Sequence, residues 1–580
     1  MTRHVAACGV VVLAGLLARQ ARAGETRATP PVQVVPPAAS SALYPDDLPG
    51  PQPEVIRSPA AVTLPAIPTF ELPAAAPGLH GARELRVHGR GLYGRELRVE
   101  GYVTWIYDCA AELARTNREA SAAELAESID NQPALCDAPM FSVGDTRQTP
   151  RDASIWVVDV PRPPSKPERA QRTRAELDAW PAVPRLAVGD RVVVTGTWAI
   201  ESPRGERNAS GLLVYRAVEP QAVPVTAPAM IAAPTGLPEL DVVRELPLRP
   251  VIDTTIRNAS VARLNDCNRA LAAKHYDAAI LACRAATEIW EDNHLAWYAW
   301  ASAHMARGEW RDARTAIARA VALRPDQAMY QLYDGMARYE VEVQARDAQT
   351  RKANKRAEEV AVVPPAGTLD EARDALVRAA KLAPALWRAH YYLGRIYREL
   401  DDARRAAEQL TQALALHPGY RPAYLALLDL YRRWGYLDHA VAVATLGTTN
   451  VTTDTAELWF ELAMAHDARH ADDQAIAALG KALASRPDDA SALLQRGEIY
   501  LRKGERASAK RDLELVAGSS DPRTAIAKRL ATQLLAGLAS RSDASTGWHS
   551  GRRYKQIYRP SQEPYKPWTQ EDAKYRFGAH

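Results

Sequence analysis

The sequence predicts a multidomain protein, an all-α solenoid of about seven helix-turn-helix repeats preceded by a small β-barrel. Three observations carry this. Beyond residue 260, small and aromatic side chains return with a 34-residue spacing and end on prolines such as Pro325, Pro418 and Pro487. Between residues 83 and 220 the apolar period falls to two. Ahead of that region, residues 24–80 are dominated by Pro and Ala, which favours an extended tether over a packed element.

The chain has 580 residues, room for several domains, and a formal net charge of +4. Arg3, Arg19 and Arg22 lie in the first 23 residues, so without them the charge is +1 (4 − 3), too even for a nucleic-acid footprint over the whole chain. Those 23 residues read as a cleaved signal peptide. A polar start at Arg3 and His4 leads into the apolar run Val5 to Ala18, and Ala21-Arg22-Ala23 supplies small residues for cleavage. The run is shorter than the roughly 20 residues that span a bilayer. Val5-Ala6-Ala7-Cys8 resembles a lipoprotein box but precedes most of the apolar run, which argues against lipid anchoring. The expectation is an exported chain, periplasmic or secreted, with no transmembrane span after cleavage. An Ala/Arg-rich composition suits a bacterial envelope.

Export changes how cysteines are read. Apart from Cys8, the chain holds Cys109, Cys136, Cys267 and Cys283, an even set with three possible pairings in an oxidising compartment. No Cys-x-x-Cys spacing points to zinc or redox chemistry.

In residues 83–220, "ELRVEGYVTWIYD", "ASIWVVDV", "VGDRVVVTGTWAI" and "GLLVYRAV" read as short strands, with a helical stretch "AAELARTNREASAAELAESI" between the first two. The arrangement resembles an OB-fold, a family whose members bind single strands and sugars. The region has 19 Lys plus Arg against 20 Asp plus Glu, or −1, so nucleic-acid binding lacks its electrostatic term. Trp105, Tyr107, Trp156, Trp198 and Tyr215 are read as core rings before they are read as stacking platforms. Cys109 follows the first strand and Cys136 the helical stretch, and a bond between them would close the loop.

After a linker at 221–255 comes the solenoid, 256–540. "AWYAWASAHMARGEWRDARTAIARAVALRPD" aligns with "RAHYYLGRIYRELDDARRAAEQLTQALALHPG", placing Ala301 over Gly394, His304 over Tyr397, Ala313 over Ala406 and Pro325 over Pro418. The pattern resembles the tetratricopeptide repeat family. Gly394 and Ala406 would let facing helices approach, Tyr397 and Leu410 would fill the space beside them, and Pro418 would stop the second helix. The third repeat is interrupted by an insertion at about 341–366. The fifth departs from the pattern, with Leu428 at a small position and "GTTNVTTD" in place of a terminal proline. The first has Cys267 at the small position and Cys283 on the partner helix, either a staple or two buried thiols. A helix near 522–540 would cap the end.

The resemblance implies a concave face lined by the first helix of each repeat. By repeat position that face should present Tyr391, Arg395, Arg398, Asp429 and Arg432. The arginines suit carboxylates, but the asparagines of carboxyl-terminus clamps are missing. "HDARH", 466–470, places two histidines four apart. Its acid is the short Asp467 and no third ligand follows, so no metal site is expected. No catalytic residue and no cofactor are expected, and no nucleic acid. The tail, 541–580, carries eight Lys plus Arg, four Asp plus Glu and seven aromatics, too little aliphatic surface for a core. Such a tail is disordered or docks on a surface. The functional expectation is a non-catalytic exported scaffold binding other proteins in an envelope complex. The alternative is a ligand- or glycan-recognition protein using the barrel, with the solenoid as anchor or relay. Partner identity and oligomeric state are not encoded in these patterns.

Overall fold

The computed structural model describes residues 51, 62–116, 120–204, 206–222, 228–242, 246–355, 368–521 and 524–539. The residues read as a signal peptide, most of the first proline-rich stretch, the end of the insertion and the basic aromatic tail lie outside the described residues.

Five long strands make most of the six-stranded sheet of the N-terminal part, the sixth being the two-residue strand His80–Gly81: β1 (Glu96–Ile106), β2 (Phe141–Gly144), β3 (Ile155–Val158), β4 (Arg191–Glu201) and β5 (Arg207–Pro220). Strand β1 pairs antiparallel with β2 and β2 with β3. Strand β3 then runs parallel to β5, β5 pairs antiparallel with β4, and β4 returns to β1. The pairing therefore closes on itself, which leaves no long free edge. Alternate residues Val99, Val103, Val143, Ile155, Val157, Val192, Val194 and Leu213 fill its core. Trp198 is fully buried there and donates its indole N–H to the Gly89 carbonyl at 2.9 Å. Gly211 faces that ring with φ of +94°, and a Cβ at this position would overlap the indole. The sequence separates these strands by a period of two because each has one face on this core.

The helical part is seven hairpins and a cap. The pairs are Thr254–Ala272 with Tyr276–Ile289, His294–Ala306 with Trp310–Leu323, Ala328–Lys355 with Thr368–Leu382, and Trp387–Glu399 with Ala403–Leu416. Arg421–Trp434 with Leu437–Asn450, Ala456–Ala468 with Asp472–Ser485, and Ala490–Lys503 with Arg506–Ala517 follow, and Ala525–Ala539 caps the end. Each hairpin leaves an apolar face that the next one buries. At Gly394 a Cβ would lie 2.6 Å from Leu410 Cγ, so the close approach of these two helices depends on the missing side chain.

In the third hairpin the insertion begins as helix, since Ala328–Lys355 runs unbroken for 28 residues. In the fifth, Leu428 is buried at the position where a small residue is expected. The small position equivalent to Ala413 is kept, as Gly447 on the partner helix. A Cβ there would meet Tyr424 Cγ at 3.1 Å and Leu458 Cδ2 at 3.2 Å.

The two segments read as linkers differ from expectation. Residues 62–80 and 228–242 lie along the helical part as a pair of straps. Leu72–Pro73 pairs antiparallel with Met230–Ile231, and Leu64, Ile67, Leu72, Leu237 and Leu240 pack against the solenoid core. Phe70 is 1% exposed, with its ring centroid 5.1 Å from that of Trp434 and 5.2 Å from that of Tyr436. Proline removes donors and fixes φ, but it does not prevent an extended chain from inserting isolated apolar side chains into another element's surface.

Candidate binding faces

The residues expected on the concave face are not equally available. Tyr391 and Arg395 are 1% and 2% exposed, so neither lines an open groove. The Arg395 guanidinium lies 4.6 Å from the Tyr339 ring centroid and 5.5 Å from that of Tyr392, and its Nη1 is 3.5 Å from Glu340 Oε1. Burial pushes the Tyr339 hydroxyl up to about 12. First helices of successive hairpins approach closely enough here to enclose their own inner side chains.

Arg398, Asp429 and Arg432 remain half-buried but are committed to one another's hairpins. Arg398 Nη1 is 3.5 Å from Asp429 Oδ2, and Arg432 pairs with the buried Glu461. Further along, Asp467 takes Arg502 at 2.6 Å and Gln495 at 3.1 Å. At the long helix, Arg346 Nη1 reaches Glu399 Oε2 at 3.0 Å. The four charged residues of the predicted five therefore belong to a ladder of charge pairs linking hairpin to hairpin, and Tyr391 is a ring beside Arg395. Sequence spacing put these residues on one face, but the closeness of the neighbouring helix is a tertiary property that spacing does not carry.

A second concavity lies in the sheet part. The loop between β1 and β2 carries Cys109 and Cys136, which are joined with Cα atoms 5.6 Å apart. That loop, the segment after β3 and the β4–β5 tip enclose a pocket of about 570 Å³. Its walls are largely apolar, with Tyr107, Ile129, Pro133, Pro139, Pro163 and Pro164 among them. Cys267 and Cys283 are likewise joined, Cα to Cα 5.2 Å, inside the first hairpin.

A family model described as Tetratricopeptide repeat matches residues 388–420, the fourth hairpin. Its small and aromatic positions fall where the remaining hairpins repeat the same packing. The fourth hairpin therefore has the sequence of a tetratricopeptide repeat. Tetratricopeptide repeat protein 37 of Xenopus laevis is 25% identical over 194 residues, 33% of this chain, which spans 11% of that protein's length. Among solved structures, PilF of Pseudomonas aeruginosa is 18% identical, covering 40% of this chain and 95% of its own at a TM-score of 0.32. A tetratricopeptide repeat protein from Parabacteroides merdae is 14% identical, covering 47% and 99%, with a TM-score of 0.33. At these scores the likenesses say nothing of activity or partners.

Within the solenoid, the inner face is somewhat less closed beyond the fourth hairpin. At the positions equivalent to Tyr391, Arg395 and Arg398, the fifth to seventh hairpins hold partly buried Leu425, Met464, Glu498 and Leu501, buried Phe460, Asp467 and Leu494, and the ion-paired Asp429 and Arg432. The histidines of "HDARH" separate. His466 is half-buried within its hairpin, its pKa lowered by burial and then by Arg469, whereas His470 is exposed in the turn with φ of +58°. Sequence reading passed over a different group. His304, Glu309 and Asp312 bring ligand-type atoms within 4.8 Å of one another. Their register is visible only once the turn is built, and His304 Nδ1 and Arg307 already contact Glu309 at 2.7 and 2.8 Å. Among the described residues, no helix is long and apolar enough to cross a membrane.

Proposed function

We propose that the protein is a non-catalytic, exported scaffold that holds another protein on the inner face of its fifth to seventh hairpins. Tetratricopeptide repeats are typically protein-interaction modules. The observation that carries this reading is the contrast along that face, closed by its own aromatic and ion-pair contacts at Arg395 and partly open at Leu425, Met464 and Leu501. Apolar side chains flanked by paired charges suit a partner segment that inserts apolar side chains of its own. Two joined cysteine pairs agree with passage through an oxidising compartment.

The test is a cross-linking pull-down from envelope extract with the intact mature chain. A partner retained by the wild type and lost on Met464→Glu with Leu425→Glu, in a variant of unchanged melting temperature, supports the inner face. Retention by that variant removes it. Charge reversal of Arg395 is unsuitable as a probe, because a buried ion pair reports folding before it reports binding.

A second reading is favoured by the pocket beside Cys109 and Cys136. In it the sheet part, an OB-like barrel by its strand order, recognises a small ligand or glycan, with the solenoid as anchor. At about 570 Å³ the pocket falls within the roughly 300–1,000 Å³ common to small-molecule sites.

A further inference from the structure

The chemistry of the pocket lining narrows what it can hold. Four of its walls are prolines (Pro133, Pro139, Pro163 and Pro164), which offer rigid apolar faces and no backbone donor. Ile129, Ala126, Ala134 and Ala138 add aliphatic surface, and Tyr107 adds an aromatic ring. A polyhydroxylated ligand would find few donors on such walls. A flat apolar one would be enclosed.

The charged members of the lining differ in how far they are committed. Arg162 forms a two-pronged pair with Glu168, its Nη1 and Nη2 at 2.6 and 2.8 Å from the two carboxylate oxygens. Asp130 is held the same way by Arg169, at 3.1 and 2.6 Å. Arg204 is different. It sits at the β4–β5 tip with its side chain 57% exposed, and its ion pair to Asp159 runs through Nε at 3.2 Å. A guanidinium engaged through Nε keeps an edge of two terminal nitrogens whose spacing matches a carboxylate or another planar oxyanion.

We infer that this pocket takes a small ligand combining a flat apolar body with one anionic group, the body against the proline and Tyr107 walls and the anion on Arg204. The inference rests on the reading of the barrel as a ligand-recognition domain and names its ligand class. The Cys109–Cys136 link closes the loop that forms one wall, so pocket shape depends on that link.

The experiment is calorimetric titration of the full mature chain with 2-naphthoate, set beside maltotriose as a neutral, hydroxyl-rich probe. The expected result is saturable one-site binding of 2-naphthoate, weakened about 10- to 100-fold by Arg204→Gln, the range for loss of a charge-assisted hydrogen bond. Ala134→Trp, which fills the cavity without touching Arg204, should abolish it, as should reduction of the Cys109–Cys136 link. Both variants are checked for an unchanged melting temperature. Binding of 2-naphthoate that survives Ala134→Trp, or that Arg204→Gln leaves unchanged, overturns the inference. Binding of maltotriose alone overturns the anionic class while the recognition reading stands, and binding of neither probe counts against both.

Discussion

Arg395 and His417 show how single buried groups set the stability of the solenoid's middle. Arg395 sits among Tyr339, Tyr391 and Tyr392 with Glu340 as its carboxylate, in a region without solvent. Arg395→Met removes the cation and leaves the Glu340 charge buried, which should cost about 3–5 kcal/mol in urea unfolding. Adding Glu340→Met should restore most of that loss, since an apolar pair of similar volume carries no desolvation cost. A double variant as unstable as the single one would mean that packing of the tyrosines, and not the charge, dominates. His417 gives a pH dependence. Burial, then the neighbouring Arg388, lowers its pKa to about 4 from an ordinary 6.5. The unfolded chain thus binds a proton near pH 6.5 that the folded chain refuses until about pH 4, so the stability present above pH 6.5 is lost as pH falls through that window. The loss should reach about 3 kcal/mol by pH 4. With His417→Gln, which carries no charge at either pH, this loss should disappear, so the difference between the two unfolding midpoints should shift against the wild type as the pH falls from 7 to 4.

At the scale of the helix pair, the missing side chain of a glycine has opposite meanings at two positions. At Gly394 a Cβ would press on Leu410 Cγ at 2.6 Å and on its backbone N at 3.2 Å, so Gly394→Ala should destabilise by about 1–3 kcal/mol, an overpacking cost. At Gly480, also within a helix (Asp472–Ser485), nothing lies within 4 Å. There Gly480→Ala should stabilise by about 0.5–1 kcal/mol through the unfolded chain's entropy and helix propensity. Paired thermal melts of the two variants, shifting in opposite directions, are the check. The same contrast shows what the sequence could convey. Gly394, Ala406 and Pro418 are legible because the helix period and the repeat length together place them, and local rules suffice. Leu428 is not, because the repeat calls for a small residue there and only the packing of the folded hairpin, in which it is fully buried, shows that a leucine fits. Arg395 was legible as a member of the inner face but not as a buried residue, since burial there comes from the next helix's approach. The strands were legible by period, whereas the parallel pairing of β3 with β5 is a long-range property. The pocket was outside reach altogether, being made by three loops that meet only after the sheet closes.

Across the whole of the described structure, the straps join the sheet part to the solenoid, and the largest side chain they bury in it is one ring. Phe70 adopts φ of +54° and is enclosed by Tyr431, Trp434 and Tyr436. Around it, Arg83 donates to the Trp434 carbonyl at 3.0 Å while lying 5.1 Å from the Tyr436 ring centroid. His88 Nδ1 approaches Asp401 at 3.5 Å, Arg405 reaches the Gly236 carbonyl at 2.8 Å, and Lys381 reaches that of Leu240 at 3.0 Å. The polar contacts are mostly part-exposed and individually worth little, so burial of the Phe70 ring should dominate. Phe70→Ala should cost about 3–5 kcal/mol in the docking of the straps. The hairpins keep their own core, so the solenoid's helical signal should persist while the straps loosen. Limited proteolysis should then cut within 62–80 or 228–242 in Phe70→Ala at protease levels that leave the wild type intact, and small-angle scattering should record a larger radius of gyration. Arg83→Ala should give a weaker version of both changes. Unchanged cleavage in Phe70→Ala would mean that the aliphatic side chains Leu64, Ile67, Leu237 and Leu240 hold the straps on the solenoid without the ring.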